Sequence, residues 1–213
     1  MLVKICGLRD PENIRQVAAI PEVDLIGLIF YPPSLRYVDS AATALAVSTL
    51  TTVKVAGVFV NEKQEEVVRK AARYHLNFIQ LHGNESPEYL STLRASLPGG
   101  IKLIKAFSIK TEEELLQTSG YEEHCEYLLF DTPTSGYGGS GRTFDWNILQ
   151  YYTGSIPFLL SGGIGPESHE SLHHFHHRMW AGIDLNSRFE TAPAVKDIQL
   201  LTGFIQNIKN HPL

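Results

Sequence analysis

Short apolar runs alternate with amphipathic segments from one end of the chain to the other. The apolar runs lie at residues 2–6, 24–30, 53–60, 77–81, 102–106, 127–131, 157–161 and 182–185. Helical segments are predicted after Asp10 and at residues 41–50, 62–74, 86–97, 111–119, 146–152, 166–175 and 194–208. This alternation is typical of parallel strands covered by helices. Eight such units predict an α/β protein whose residues 1–213 form a single (β/α)8 TIM barrel domain.

Charge and composition exclude some classes of partner. The net charge of -5 gives no general attraction to nucleic acid or to an anionic membrane, so neither is expected as a partner. The first residues lack a signal peptide pattern, and no stretch is long and apolar enough to span a bilayer. We therefore expect a cytosolic protein in which Cys6 and Cys125 remain free thiols.

Two ionisable residues stand where strands end. Cys6 closes the first run and Asp131 closes the sixth, and residues at the carboxyl ends of barrel strands face the active site. Taken alone, Cys6 fits a small buried hydrophobe and Asp131 fits a cap or a structural carboxylate. Together they predict a pair of catalytic groups that act on one small substrate.

Loops after other strands suggest where a ligand is bound. Gly162 and Gly163 follow the seventh run, and the segment 184–187 follows the eighth, as in the phosphate-binding loops of many barrels; a tight turn is the alternative for the two glycines. Arg36, after the second run, is a candidate carboxylate ligand or a solvated surface residue. The glycine-rich segment 132–145 after the sixth run is a candidate lid or a slack surface loop.

The remaining motifs favour no metal or nucleotide. Five histidines lie close together in one helical segment: His169, His173, His174, His176 and His177. They are predicted on an outer helix without a recognised ligand spacing, which favours a solvated helix face. The GYGGSG stretch follows a strand but opens no helix at once, so it is a weak dinucleotide signal.

Several motifs occur together in one order. They are KICGLRD at 4–10, GLIFYPPSLRYV at 27–38, GVFVNE, QLHGNES, LLFDT, GGSGRTFDW, SGGI, and a late GxDxxSxxE stretch followed by PxxKD. With these motifs the chain closely resembles the phosphoribosylanthranilate isomerase family along nearly its whole length. The resemblance implies an Amadori rearrangement of an aminoaldose phosphate to an aminoketose in tryptophan biosynthesis. It implies a small phosphosugar substrate, no cofactor, no metal, and a monomer or homodimer.

The resemblance also implies roles for single residues. Cys6 matches the catalytic base, Asp131 the catalytic acid and Arg36 the ligand of the anthranilate carboxylate. His82 falls in the QLHG motif and is given a supporting role in substrate binding. The phosphate loops correspond to Gly162, Gly163, Asp184, Asn186 and Ser187.

The chain departs from the family pattern at two places. Leu35 stands where proline is frequent before the arginine, a change that affects loop stiffness more than charge. Residues 186–188 read Asn-Ser-Arg where Ser-Ser-Gly is common, so Arg188 either adds a phosphate contact or points outward.

Two alternatives share the predicted fold. Another phosphosugar enzyme is one of them, but an indole-glycerol-phosphate synthase should bring a lysine acid and an N-terminal extension, and a histidine-pathway isomerase a first-strand aspartate. The other is a catalytically silent barrel that binds a phosphorylated ligand. The presence of both Cys6 and Asp131 favours the isomerase.

Overall fold

Eight parallel strands close into a barrel in the order in which they occur along the chain. The computed structural model describes residues 1–131 and 146–210. The predicted lid at 132–145 lies outside the described residues. The strands are β1 (Leu2–Ile5), β2 (Leu25–Ile29), β3 (Lys54–Phe59), β4 (Phe78–Leu81), β5 (Lys102–Ser108), β6 (Tyr127–Asp131), β7 (Phe158–Ser161) and β8 (Trp180–Leu185). The predicted barrel is confirmed, and each strand end lies within two residues of its predicted position.

Helices cover the outside of the barrel. They are α1 (Pro11–Ala18), α2 (Ala41–Ser48), α3 (Gln64–Arg73), α4 (Pro87–Ser96), α5 (Glu112–Leu115), α6 (His169–His174) and α7 (Ile198–Asn210). Local sequence sets several of their starts. Asp10 caps α1 by accepting a hydrogen bond of 2.8 Å from the amide of Asn13, and proline occupies the first turn of both α1 and α4.

Three predicted helices are shorter or tighter than expected. The segment 111–119 forms the single turn of α5 and then a 3-10 helix at Leu116–Tyr121. There Thr118 and Ser119 donate side-chain hydrogen bonds to carbonyls three residues earlier, which competes with regular helix geometry. Trp146–Tyr151 is also a 3-10 helix, and Pro166–Ser168 is a 3-10 turn that leads into α6.

The predicted last helix begins too early. The segment before α7 is an antiparallel hairpin of β9 (Glu190–Ala192) and β10 (Val195–Lys196). Ala194 has a φ of 68°, which a right-handed helix cannot accommodate. The hairpin places Glu190 and Lys196 at the carboxyl end of the barrel, beside the loop that follows β8.

The alternation of side chains along each strand divides the barrel interior into layers. An apolar layer fills its lower part, with Leu25, Ala56, Ile104, Leu129 and Leu159 among its members. The larger core lies between the strands and the helices. Ionisable and polar side chains follow the apolar layer toward the carboxyl ends of the strands, where they line a cavity.

No helix among the described residues is long and apolar enough to cross a membrane.

Candidate active site

The carboxyl ends of the strands surround a cavity of about 440 Å³. Its walls include eight of the nine site residues that the sequence predicts: Cys6, His82, Asp131, Gly162, Gly163, Asp184, Asn186 and Ser187. The ninth, Arg36, lies just beyond, with its Cδ packed over Gly7. The topology thus gathers residues that are far apart in sequence around one space.

A second, larger cavity of about 740 Å³ lies at the opposite end of the barrel. Met1, Trp180 and Ala181, next to the starts of β1 and β8, form part of its wall together with His177 and Arg178. None of the predicted site residues lines it.

Glycines on both sides of Cys6 allow close contacts. Cys6 is only 4% exposed, and a Cβ at Gly27 on β2 would lie 2.8 Å from its Sγ atom. Gly7 has a φ of 79°, and a Cβ there would lie 2.5 Å from Oδ1 of Asn186 and 2.6 Å from Cδ of Arg36. Both positions therefore require glycine, which accounts for the KICG motif and for the glycine of β2.

A buried ion pair lies beneath the Cys6 thiol. Nζ of Lys4 is 2.9 Å from Oδ1 of Asp184, and both side chains are almost fully inaccessible. Burial raises the pKa of Cys6; the positive charges of Lys4 and Lys196 oppose this rise, while Asp184 adds to it. Lys4 is not among the site residues predicted from the sequence, although residues two apart on a strand share a face and Lys4 precedes Cys6 by two.

The second reactive group, Asp131, contacts a histidine. Nε2 of His82 lies 3.3 Å from Oδ2 of Asp131, and Nδ1 of His82 lies 3.1 Å from Nε2 of Gln80. With the Gln80 amide as the donor to Nδ1, the imidazole proton is assigned to Nε2, where it points at the Asp131 carboxyl group. With this orientation, Oε1 of Gln80 is a buried acceptor without a partner in the part of the chain that the structure describes.

Arg36 is held by a carboxylate of its own protein. Its Nε donates to both oxygens of Glu190 at 2.8 and 3.1 Å, and its Nη2 donates to Oε2 at 2.5 Å. The hydrogen bonds with Glu190 raise the pKa of Arg36. Glu190 is the last residue of the GxDxxSxxE motif, but the motif alone predicts no role for it.

Lys196 connects this pair to the loop after β8. Its Nζ donates to Oε1 of Glu190 at 2.7 Å and to Oδ1 of Asn186 at 2.8 Å, and its side chain is fully buried. Burial lowers the pKa of Lys196, and the Glu190 carboxylate opposes that change. Arg36, Glu190, Lys196 and Asn186 are therefore one hydrogen-bonded chain along the edge of the cavity.

The two predicted phosphate loops lie next to each other. Gly162 and Gly163 have φ values of 78° and 70°, a backbone turn that side chains with a Cβ adopt only with strain. Ser187 begins a 3-10 helix, Ser187–Phe189, directly after β8. Arg188 of this helix pairs with Glu167, and both side chains are more than half exposed.

Cys125 lies away from the cavity. Its Sγ donates to the carbonyl of Tyr121 at 3.3 Å, and burial raises the pKa of this thiol to about 12. Within residues 1–131 and 146–210, no group of three or more His, Cys, Asp or Glu side chains is arranged to hold a metal ion.

A closed barrel with a thiol and a carboxyl–imidazole pair at its mouth defines a (β/α)8-barrel enzyme equipped for acid–base chemistry. The sequence model of the family described as N-(5'phosphoribosyl)anthranilate (PRA) isomerase matches residues 3–207. The chain belongs to this family, and it is an isomerase. The resemblance predicted from the motifs is confirmed.

Individual relatives match this chain over nearly their whole length. N-(5'-phosphoribosyl)anthranilate isomerase of Parabacteroides distasonis is 50% identical over 100% of this chain and 95% of its own, and the protein of the same name from Phocaeicola vulgatus is 49% identical over 98% of both. The crystal structure of phosphoribosyl anthranilate isomerase from Thermotoga maritima has a TM-score of 0.85 at 33% identity, with 99% of both chains covered.

A further solved relative contains a ligand. It is a phosphoribosyl anthranilate isomerase in complex with reduced 1-(o-carboxyphenylamino)-1-deoxyribulose 5-phosphate, with a TM-score of 0.83, 30% identity, and coverage of 99% of this chain and 100% of that one.

Proposed function

We propose that this chain converts N-(5'-phosphoribosyl)anthranilate to 1-(o-carboxyphenylamino)-1-deoxyribulose 5-phosphate in tryptophan biosynthesis, with Asp131 as the acid and Cys6 as the base. The observation that carries the assignment of roles is that Cys6 and Asp131 line one cavity, each at the end of a barrel strand, in a member of this isomerase family. Residues 1–213 act in this proposal as a single catalytic domain.

Asp131 acts first. In its protonated form it gives the proton to the furanose ring oxygen while the bond between that oxygen and C1 breaks. The electron pair of the anthranilate nitrogen forms the new C=N bond, so the product is an open-chain protonated Schiff base. Asp131 becomes a carboxylate in this step, and a hydrogen bond from Nε2 of His82 stabilises that charge.

Cys6 acts second. As a thiolate it removes the proton from C2, and the electrons of that bond move into the C=N system to give an enolamine. The enolamine then takes up a proton at C1 and loses the proton of its C2 hydroxyl, which leaves the ketone. One carbon is reduced and its neighbour is oxidised, so the rearrangement balances without an external oxidant or reductant. Lys4 and Lys196 offset part of the cost of the buried thiolate.

The ends of the substrate are held by different groups. We assign the phosphate to the backbone at Gly162, Gly163, Asn186 and Ser187, because a turn of consecutive amides suits an anion. A carboxylate repels phosphate, so Asp184 is assigned to a sugar hydroxyl instead. We assign the anthranilate carboxylate to Arg36, whose planar guanidinium can bind it through two parallel hydrogen bonds.

The proposal keeps the location and assembly predicted from the sequence. The free thiols of Cys6 and Cys125 are compatible with a reducing cytosol. The chain acts as a monomer or homodimer; a relative from Thermotoga maritima is described as dimeric. No nucleic acid or membrane partner is part of the proposal.

Loss of the fluorescence of freshly made phosphoribosylanthranilate on addition of purified protein tests the function. The product should be the 1-deoxyribulose 5-phosphate. Because it is an isomer of the substrate and has the same mass, it is identified by reduction with borodeuteride, which places deuterium at C2 of the ketose. A protein that binds the substrate without turnover would instead support the silent ligand-binding barrel.

A further inference from the structure

Lys196 is buried to an extent that requires an explanation. Its side chain has no exposed area and its Nζ atom contacts Glu190 and Asn186. The backbone around it is fixed independently, because Asn13 of α1 accepts from the amide of Lys196 at 2.7 Å and donates to its carbonyl at 2.9 Å. The ammonium group is thus not needed to attach the hairpin to α1. Burying a charge costs free energy even when it is paired, so Lys196 is expected to serve another purpose.

The charges around Arg36 suggest that purpose. Glu190 holds the guanidinium by a bidentate contact, so Arg36 and Glu190 by themselves sum to zero. A neutral pair has little attraction for a substrate carboxylate. With Lys196 the cluster contains two cations and one anion, and its net charge is +1.

We propose that Lys196 is a positioning residue for substrate binding: its ammonium group neutralises Glu190, so that Glu190 can orient Arg36 without cancelling the positive charge that attracts the aromatic carboxylate. This inference rests on the proposed function, in which Arg36 receives that carboxylate. In this inference Glu190 sets the orientation of Arg36, and Lys196 keeps the net charge of the cluster positive.

The ionisation of Glu190 fits this arrangement. Burial raises the pKa of Glu190, but the hydrogen bonds from Arg36 and Lys196 outweigh burial and hold it below its ordinary value. Glu190 is therefore a carboxylate at neutral pH, and it needs a counter-charge if Arg36 is to remain available to a ligand.

Two ligands and four variants separate charge from structure. The ligands are reduced 1-(o-carboxyphenylamino)-1-deoxyribulose 5-phosphate and the same molecule without its carboxylate, and the measured quantity is the ratio of their Kd values. Lys196→Met gives the cluster a net charge of zero, Glu190→Gln gives +2, and the double variant returns it to +1. Lys70→Met is the matched control, because Lys70 is a buried lysine beside Glu66 on the outer helix α3.

We expect Lys196→Met to reduce the preference for the carboxylated ligand about tenfold. The Kd of the ligand without a carboxylate should change little, and the double variant should recover most of the preference. Lys70→Met should lower stability and leave the ratio unchanged. If Lys196→Met does not fold, the double variant carries the test, since it removes both buried charges and should retain the wild-type ratio.

Equal losses for both ligands in Lys196→Met, or a double variant with as little preference as the single one, would overturn the inference. Failure of the proposed function has a different signature. In one case the wild-type protein does not isomerise phosphoribosylanthranilate and yet shows the carboxylate preference and its dependence on Lys196. That result would contradict the proposed function and support the inference. A wild-type protein without any such preference would overturn the inference, whatever its turnover.

Discussion

Nε2 of His82 lies 3.3 Å from Oδ2 of Asp131 at the mouth of the barrel. His82 directly follows β4 and Asp131 closes β6, and Gln80 contacts the other nitrogen of the imidazole. A hydrogen bond to a carboxylate is stronger than one to the neutral acid, so this contact strengthens as Asp131 gives up its proton. In the proposed mechanism the histidine thus favours ring opening without itself transferring a proton to the substrate.

Asp131→Asn should fail at ring opening. Asparagine keeps nearly the same shape but has no acidic proton, so turnover of the cyclic substrate should fall by about 10²–10⁴-fold. An open-chain Schiff-base substrate, if supplied, should still be processed through Cys6, and the reduced product analogue should bind nearly as tightly as it does to the wild type. Steady-state kinetics and calorimetric titration check both expectations. Turnover of the cyclic substrate close to the wild-type rate would remove Asp131 as the acid and make His82 the next candidate.

Cys6→Ser should block the second step. A hydroxyl is a far weaker base than a thiolate, and we expect kcat to fall about a thousandfold while the fold is retained. Cys125→Ser is the matched control, since that thiol lies outside the cavity and serine can keep its hydrogen bond to the carbonyl of Tyr121. The measurement is kcat of both variants, with circular dichroism as the test of folding. Activity of Cys6→Ser similar to that of Cys125→Ser would exclude Cys6 from the mechanism.

Arg36→Ala should weaken substrate binding more than it slows the chemistry. Loss of a charged bidentate contact costs about 2 kcal/mol, which corresponds to roughly a 30-fold rise in KM. The value of kcat should change much less, because the guanidinium does not contact the reacting carbons in the proposed mechanism. An equal loss in affinity for a substrate analogue without the carboxylate would show that Arg36 acts only through its contacts with Glu190 and Gly7.

The thiol of Cys6 should titrate above an ordinary cysteine. Its pKa is raised from a reference of 9.0, because burial outweighs the cations of Lys4 and Lys196. In a Cys125→Ser background, the midpoint of the ultraviolet absorbance of the thiolate should therefore lie above that of free cysteine. A midpoint below that of free cysteine would contradict the predicted direction.

The same titration limits activity at high pH. The active form carries one proton on the catalytic pair, placed on the carboxyl rather than on the thiol, and a carboxyl group ordinarily titrates below a thiol. Loss of that last proton follows the titration of Cys6, so kcat/KM should fall as the pH rises through the pKa of the thiol. An acid and a base of opposite required protonation give a bell-shaped pH dependence of kcat/KM, and the midpoint of its descending limb should coincide with the absorbance midpoint.

The barrel could be predicted because the spacing of apolar residues and the alternation of strands and helices along the chain determine most of its architecture. Where the prediction was wrong, the cause is local. Ala194 adopts a left-handed conformation that composition does not reveal, and the hydroxyls of Thr118 and Ser119 tighten a segment that reads as an ordinary helix.

Some residues of the candidate site could likewise be predicted from the sequence, and others could not. Cys6 and Asp131 could be found because each closes an apolar run, and Lys4 could have been found from its spacing to Cys6. The contact between Glu190 and Arg36 joins residues 154 positions apart, and it forms because the β9–β10 hairpin places Glu190 beside the loop that follows β2. No periodicity in the sequence reports such a contact.

The crowding above Gly7 has a consequence for engineering. Arg36 from the loop after β2 and Asn186 from the loop after β8 both occupy the space that a side chain at position 7 would fill. These three connections therefore behave as one interlocked unit. A chimaeric barrel that exchanges only one of them with a distant relative should lose the fit of the other two, so the three should be grafted together.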